Sequence, residues 1–139
     1  MHQLHSIVYV SSASRKFSAS ELSQILEEVR EKNRKSGLTG ILLHCDGNFM
    51  QLLEGPLNAL EETMGRIRGS RRHRAVTEFM CEPIETREFA GWSMALSHAT
   101  APEFLELRNA SWKAPVTAGD APQESAGKEL LRQFWQNTR

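Results

Sequence analysis

No run of apolar residues in this 139-residue sequence is long enough to cross a bilayer, and the N-terminus lacks the basic-then-apolar pattern of a secretion signal. Charge of one sign is missing too. The 17 Lys and Arg balance 17 Asp and Glu, so the chain carries no overall electrostatic footprint for nucleic acid or an anionic membrane. The one basic cluster, Arg71-Arg72-His73-Arg74, falls in an expected loop and reads as a solvated turn. Cysteine is scarce, and Cys45 and Cys81, both in expected strands, read as small buried hydrophobes rather than a disulfide. The five His are scattered without metal-ligand spacing, so no metal site is expected. There is no G-x-S-x-G elbow, no Gly-rich phosphate loop and no pair of carboxylates in a plausible cleft, which leaves hydrolytic chemistry poorly supported. A cytoplasmic protein is the expectation from these absences.

What is present is an ordinary globular composition, 40% hydrophobic and 24% charged, at a length that buries a real core. The run Leu38 to Gly55 reads as a β-hairpin. Asp46-Gly47 stands between two apolar stretches, and a two-residue type I′ turn needs φ > 0 at both positions. Alternation then puts Phe49, Gln51 and Leu53 on one face and Met50, Leu52 and Glu54 on the other. Gln51 therefore sits between two large apolar residues, where an unpaired amide costs ~1–3 kcal/mol. Either it bonds neighbouring main chain at a sheet edge, or it bonds a ligand.

Leu4 to Ser11 alternates as a first strand, with Ile7, Tyr9 and Ser11 on one face. Tyr9 is open to two readings as well, a core aromatic with a local hydroxyl partner or a functional phenol. Ser18 and Glu21 form a capping box with a Phe17–Leu22 staple, and Gly37 is placed to end the helix 18–36. Ile25 and Val29 continue into Asn33 on one i, i+4 row, so an amide extends an apolar stripe. It is either a cheap polar residue near a helix end or a hydrogen-bonding group at a pocket rim. Gly55-Pro56 breaks the hairpin and starts a second helix, Leu57 to about Gly69, with Leu60, Met64 and Ile67 as its core stripe. A fourth strand is expected over Val76–Cys81, ending before Pro83, and a fifth within Arg87–Ser97, with Trp92, Met94 and Leu96 on one face. Beyond it come a short helix around Pro102–Leu107, an Ala/Pro/Gly linker over Ala110–Ser125 and a last helix bearing Leu130, Leu131, Phe134 and Trp135. The order predicts an α+β, ferredoxin-like five-stranded mixed sheet, two helices on one face and the C-terminal helices on the other. Ferredoxin-like folds also host acyl-phosphate hydrolases, but no Arg and Asn are placed here as an anion cradle.

Tyr9, Asn33, the runs Leu38-Thr-Gly40 and Gln51-Leu-Leu-Glu-Gly55, Glu82-Pro83-Ile84 and Phe89-x-x-Trp-x-Met94 together resemble the BLUF domain, a sensor of blue light using FAD. The resemblance covers roughly Leu4 to Ser97, which makes residues 1–98 a flavin-binding domain and 99–139 a helical cap or output extension. It implies non-covalent FAD with its ring between the two helices, in contact with Ile25. Asn33 is then a hydrogen-bond partner of the flavin carbonyl edge, and Arg66, Arg72 and His73 are polar neighbours of the ring or its chain. Tyr9 is the electron and proton donor, Gln51 the hydrogen-bonding relay between phenol and flavin, and Trp92 or Met94 the residue that carries the change onward. Ser70, Val29 and Arg30 depart from residues found in some relatives, which bears on ring-edge contacts and not on the Tyr9–Gln51 pair.

A signalling photoreceptor without enzymatic turnover of its own, acting on a downstream protein and self-associating as a homo-oligomer, is the reading that follows. Two others compete with it: a flavin oxidoreductase, which needs a nicotinamide site and open space above the ring, and a cofactor-free ferredoxin-like interaction module.

Overall fold

A computed structural model describes residues 3–112 and 125–137. The chain divides into two compact units, Met1–His98 and Ala99–Arg139.

The first unit is built on the expected hairpin. Strands β2 (Thr39–Cys45) and β3 (Asn48–Pro56) pair antiparallel across Asp46 and Gly47, whose φ of 46° and 81° are both in the left-handed region that the turn requires. β1 (Leu4–Ala13) pairs antiparallel with β3 on its other side, and this register sets Tyr9 directly opposite Gln51. β4 (His73–Ile84) closes one edge against β1, and β5 (Ala95–His98) closes the other, parallel to β2. The order β4-β1-β3-β2-β5 is that of a ferredoxin-like sheet with one added strand.

α1 (Ala19–Ser36) starts at the capping box read from the sequence, with Ser18 and Glu21 bonding reciprocally. It stops at Gly37 in the left-handed conformation, φ 73°, whose N–H reaches the Asn33 carbonyl. α2 (Leu57–Arg68) follows β3 directly, with Pro56 at its N-cap rather than inside its first turn. Leu26 of α1 and Leu60 and Met64 of α2 pack with Ile7, Tyr9, Leu38, Leu53 and Met94 in one core cluster, so both helices cover the Tyr9 face of the sheet.

Three strand expectations change. β4 runs to Ile84, past Pro83, because it is an edge strand on which a residue without an N–H sacrifices no central ladder bond. It takes in His73 and Arg74, half of the basic cluster assigned to a loop, and Cys81 lies exposed on it while Cys45 is buried. The register with β1 slips twice, around Phe79 and around Ala75, which adopts φ 53°. β5 begins only at Ala95, so Trp92 and Met94 lie in the irregular segment leading into it.

In the second unit, α3 (Ala101–Asn109) carries its own capping box, Thr100 with Glu103, and extends both ends of the helix expected over Pro102–Leu107. α4 (Ala126–Asn137) contains the expected apolar run, with Leu131, Phe134 and Trp135 buried. Trp112 joins the two: its indole N–H donates to the Leu107 carbonyl at 3.0 Å, and its ring lies where a Cβ on Gly127 would stand. The linker assigned to Ala110–Ser125 lies for the most part outside the described residues.

Candidate functional site

A cleft opens between α1 and α2 above the Tyr9 face of the sheet. Leu22, Ile25, Leu26 and Val29 wall it from α1, with Thr63 and Ile67 opposite on α2. Tyr9, Leu42, Phe49 and Gln51 form its floor, and Lys32, Asn33, Arg66, Ser70, Arg72 and His73 also line it.

A directed chain of hydrogen bonds starts on the floor and ends at Met94, which does not line the cleft. The Tyr9 hydroxyl donates to Gln51 Oε1, and Gln51 Nε2 donates to Met94 Sδ at 3.4 Å. All three side chains are buried. Burial pushes the Tyr9 phenol well above its usual range, because a phenolate there has no water to solvate it. The phenol is therefore a donor at neutral pH, and that fixes Gln51 with its oxygen toward Tyr9 and its NH2 toward Met94. A thioether is a weak acceptor, so the amide's two strong donors are poorly used by the protein itself.

Asn33 is 3% exposed and spends one donor on the Ser93 carbonyl at 2.6 Å, so the amide that extends the α1 stripe also ties down the segment before β5. His73 is half-buried, bonded through Nδ1 to Ser11 Oγ at 3.0 Å, and edge-on to Phe49 at 6.0 Å between centroids. Burial, and then the neighbouring Arg72, hold its imidazole below the usual range, hence neutral at pH 7. Arg72 reaches across to Glu28 of α1 at 3.0 Å, and Arg66 bonds Thr63 Oγ1 at 3.2 Å. Trp92 stands apart: it is half-buried, stacks on Phe89 at 5.7 Å, and does not line the cleft.

Three residues to which the sequence reading gave no role at the site complete the surroundings. Arg30 Nε donates to the Met94 carbonyl at 2.8 Å. Glu54, 1% exposed, accepts the backbone N–H of Glu88 and of Phe89 at 2.8 and 2.9 Å. Arg87 donates to the carbonyls of Gly37 and Glu54 at 2.7 and 3.0 Å. The signal for Glu54 was the lone charged residue of β3, directly after two leucines.

A family model described as "BLUF: Sensors of blue-light using FAD" matches residues 4–95. The chain belongs to the BLUF family. This BLUF domain is 36% identical over 92 residues to photoactivated adenylate cyclase subunit beta of Euglena gracilis, and 35% identical over 92 residues to its namesake in Euglena longa. Each match covers 66% of this chain and 11% of the relative, so the chain spans about a tenth of the length of the curated relatives it matches. The dark-state structure of BlrB, a BLUF protein, superposes with a TM-score of 0.69 at 34% identity, over 77% of this chain and 85% of that one. The fold is thus that of BLUF structures, and the domain is a flavin-based blue-light sensor module.

The residues present fit a flavin. Its tricyclic ring is flat and apolar on both faces, as are the walls supplied by Ile25, Val29 and Ile67. Its pyrimidine edge carries acceptors and a donor, which suit the amides of Gln51 and Asn33, and its phosphates suit Lys32, Arg66 and Arg72. Among the described residues no group of three or more His, Cys, Asp or Glu could hold a metal ion, and no helix is long and apolar enough to cross a membrane.

Proposed function

We propose that this BLUF domain holds FAD with the ring between α1 and α2 and signals blue light through the Gln51 amide, without turnover of its own. The observation that carries this reading is the hydrogen-bonded chain that runs from Tyr9 and Gln51, on the floor of an apolar-walled cleft, to Met94. Ile25 and Val29 pack on the ring, Asn33 meets its carbonyl edge, and Arg66, Arg72 and His73 neighbour the ring or its phosphate chain.

When bound, the flavin supplies a blue-light absorber that is a strong oxidant once excited. Tyr9 holds its proton at Oη, pointed at Gln51 Oε1, and is the readily oxidised side chain on the floor. Loss of an electron makes the phenol strongly acidic, so its proton passes to Gln51 Oε1. Gln51 would then hand a proton from Nε2 to the bound flavin, which also holds the electron, and settle rotated or tautomerised. Electron and proton both return to Tyr9, so nothing is consumed, and the lasting change is in which groups Gln51 bonds. The Met94 sulfur loses or keeps the N–H donated by Gln51 accordingly, and Met94 with Trp92 carries that difference to β5.

The receiver is a downstream protein or a second copy of this chain. Relatives named photoactivated adenylate cyclase show that a BLUF sequence can accompany an effector, and residues 99–139 supply an apolar, capped pair of helices as an output extension. Cys45 and Cys81 are free thiols, which suits work in the reducing cytoplasm.

Absorption spectra of the purified protein in darkness and under blue light test the reading, with the released flavin identified by chromatography. The expected result is a yellow protein containing FAD, with a reversible red shift of its main band. A colourless protein that cannot be reconstituted, or one reduced by a nicotinamide with no red shift, would overturn it.

A further inference from the structure

Met94 lies just before the ladder of β5, and two residues earlier the Trp92 carbonyl accepts from the Gly40 N–H of β2 at 3.0 Å. Side chains from α1 add further bonds to this stretch. Arg30 Nε donates to the Met94 carbonyl at 2.8 Å, and one turn on, Asn33 Nδ2 donates to the Ser93 carbonyl at 2.6 Å. Met94 is therefore gripped twice, by Gln51 at its sulfur and by Arg30 at its carbonyl. The first contact is weak, because a thioether accepts poorly; the second is charge-assisted and short. It is the guanidinium that decides where the sulfur stands.

Arg30 also faces outward. Its Nη1 pairs with Glu27 at 2.5 Å, with the Arg30 side chain 31% exposed and that of Glu27 63% exposed. A continuous path thus runs from the buried phenol to the surface of α1: Tyr9, Gln51, Met94, Arg30, Glu27.

We propose that Arg30 is a positioning residue for the Gln51 amide: by fixing the Met94 carbonyl it holds the thioether within reach of Gln51 Nε2, and it carries any change of that contact to the outer face of α1. The light-dependent half rests on the function proposed above, whereas the positioning half concerns the dark structure alone. Without Arg30, Met94 loosens, Gln51 loses the partner that favours its dark orientation, and the two orientations of the amide draw closer in energy. Return from the lit state should then slow.

Hydrogen exchange and flash photolysis on Arg30→Ala, Arg30→Lys and Glu27→Gln in the full chain test this. Arg30→Ala should raise dark-state exchange across residues 93–96 by about tenfold and slow lit-state decay by about threefold, with the red shift retained. Arg30→Lys, which still offers a cationic donor, should restore most of both. Glu27→Gln should leave dark exchange at 93–96 at the wild-type level, since the Met94 bond survives. Wild-type exchange in Arg30→Ala overturns the positioning role whatever the photochemistry does. Raised exchange with unchanged decay overturns the coupling and leaves a structural arginine. A wild-type protein with no red shift instead overturns the function proposed above, while the exchange comparison still judges Arg30.

Discussion

Tyr9 carries the only phenol in the chain, and burial alone raises its pKa. The direction of that shift has a consequence for stability. Below an unfolded pKa of about 10, both states hold the proton and stability is fully present; as pH rises past 10 the unfolded chain ionises first, and stability is lost towards the folded value. Tyr9→Phe removes this term but leaves Gln51 Oε1 without its donor, at a cost of about 1–2 kcal/mol at neutral pH. Urea unfolding at pH 7 to 11 should show the wild-type advantage shrinking above pH 10, by at most about 1.4 kcal/mol per unit; a constant gap would mean that the phenol is not held neutral by burial. The same variant should bind flavin and lose the red-shifted state, as should Gln51→Leu, which removes the amide proposed to receive the proton. Flavin content and difference spectra of the two variants decide this, and a normal photocycle in both would refute the mechanism. Met94 is the subtler case. Met94→Leu keeps its volume and removes only the sulfur, so flavin binding and fold should persist while the lit-state lifetime changes, measured by recovery of the dark spectrum.

Among the elements, the segment from Glu85 to Met94 shows best what was legible in the sequence and what was not. The hairpin and both ends of α1 could be read, because each depends on local signals: two left-handed turn positions, a capping box, a glycine stop. The encounter of Tyr9 with Gln51 was implied only by the resemblance to the BLUF domain, since alternation along β1 and β3 gives each residue a face and not a partner. The start of β5 could not be read. Trp92, Met94 and Leu96 alternate as a strand would, yet the main chain before Ala95 bonds elsewhere, the Trp92 carbonyl to Gly40 N–H at 3.0 Å and the N–H groups of Glu88 and Phe89 to Glu54. Arg30, Glu54 and Arg87 went unassigned for the same reason: each bonds main chain 33 to 64 residues away, and no periodicity records that. Met94 rather than Trp92 next to Gln51 follows from this bonding too, since alternation gave both the same face. Glu54→Leu should therefore do more than delete a charge. Two backbone N–H groups lose their acceptor, at about 1–3 kcal/mol each, so the domain should be destabilised by roughly 3 kcal/mol in urea titrations, with exchange rising across residues 86–94. If only the stability falls and that segment stays protected, Glu54 does not hold it.

The whole molecule joins a sensor unit to a second unit that shares none of the family match, which ends at residue 95. Within the second unit the order of packing is unusually explicit. Gly127 N–H donates to the Ser111 carbonyl at 2.7 Å, and the Trp112 indole lies flat on the space where any side chain at 127 would begin. Leu107 takes the indole N–H, so one tryptophan ties α3 to α4. Glycine in the first turn of α4 is thus required by the ring and not by the helix, whose own propensity would favour alanine. Gly127→Ala puts a methyl group into that ring, and overpacking of this kind costs about 1–3 kcal/mol. In a pair of helices this small, that is enough to loosen the unit. If residues 99–139 are the output extension proposed above, Gly127→Ala should change tryptophan fluorescence and raise exchange over 101–109 and 126–137, while flavin content and the red shift stay as in the wild type. What it should abolish is any light-dependent change of exchange in those two helices, because a loosened unit has no single arrangement for strand β5 to bias. A red shift lost together with the helices would instead mean that both units form the photochemical site, and a light-dependent change that survives would place the output on another surface, with the outer face of α1 the next to be examined.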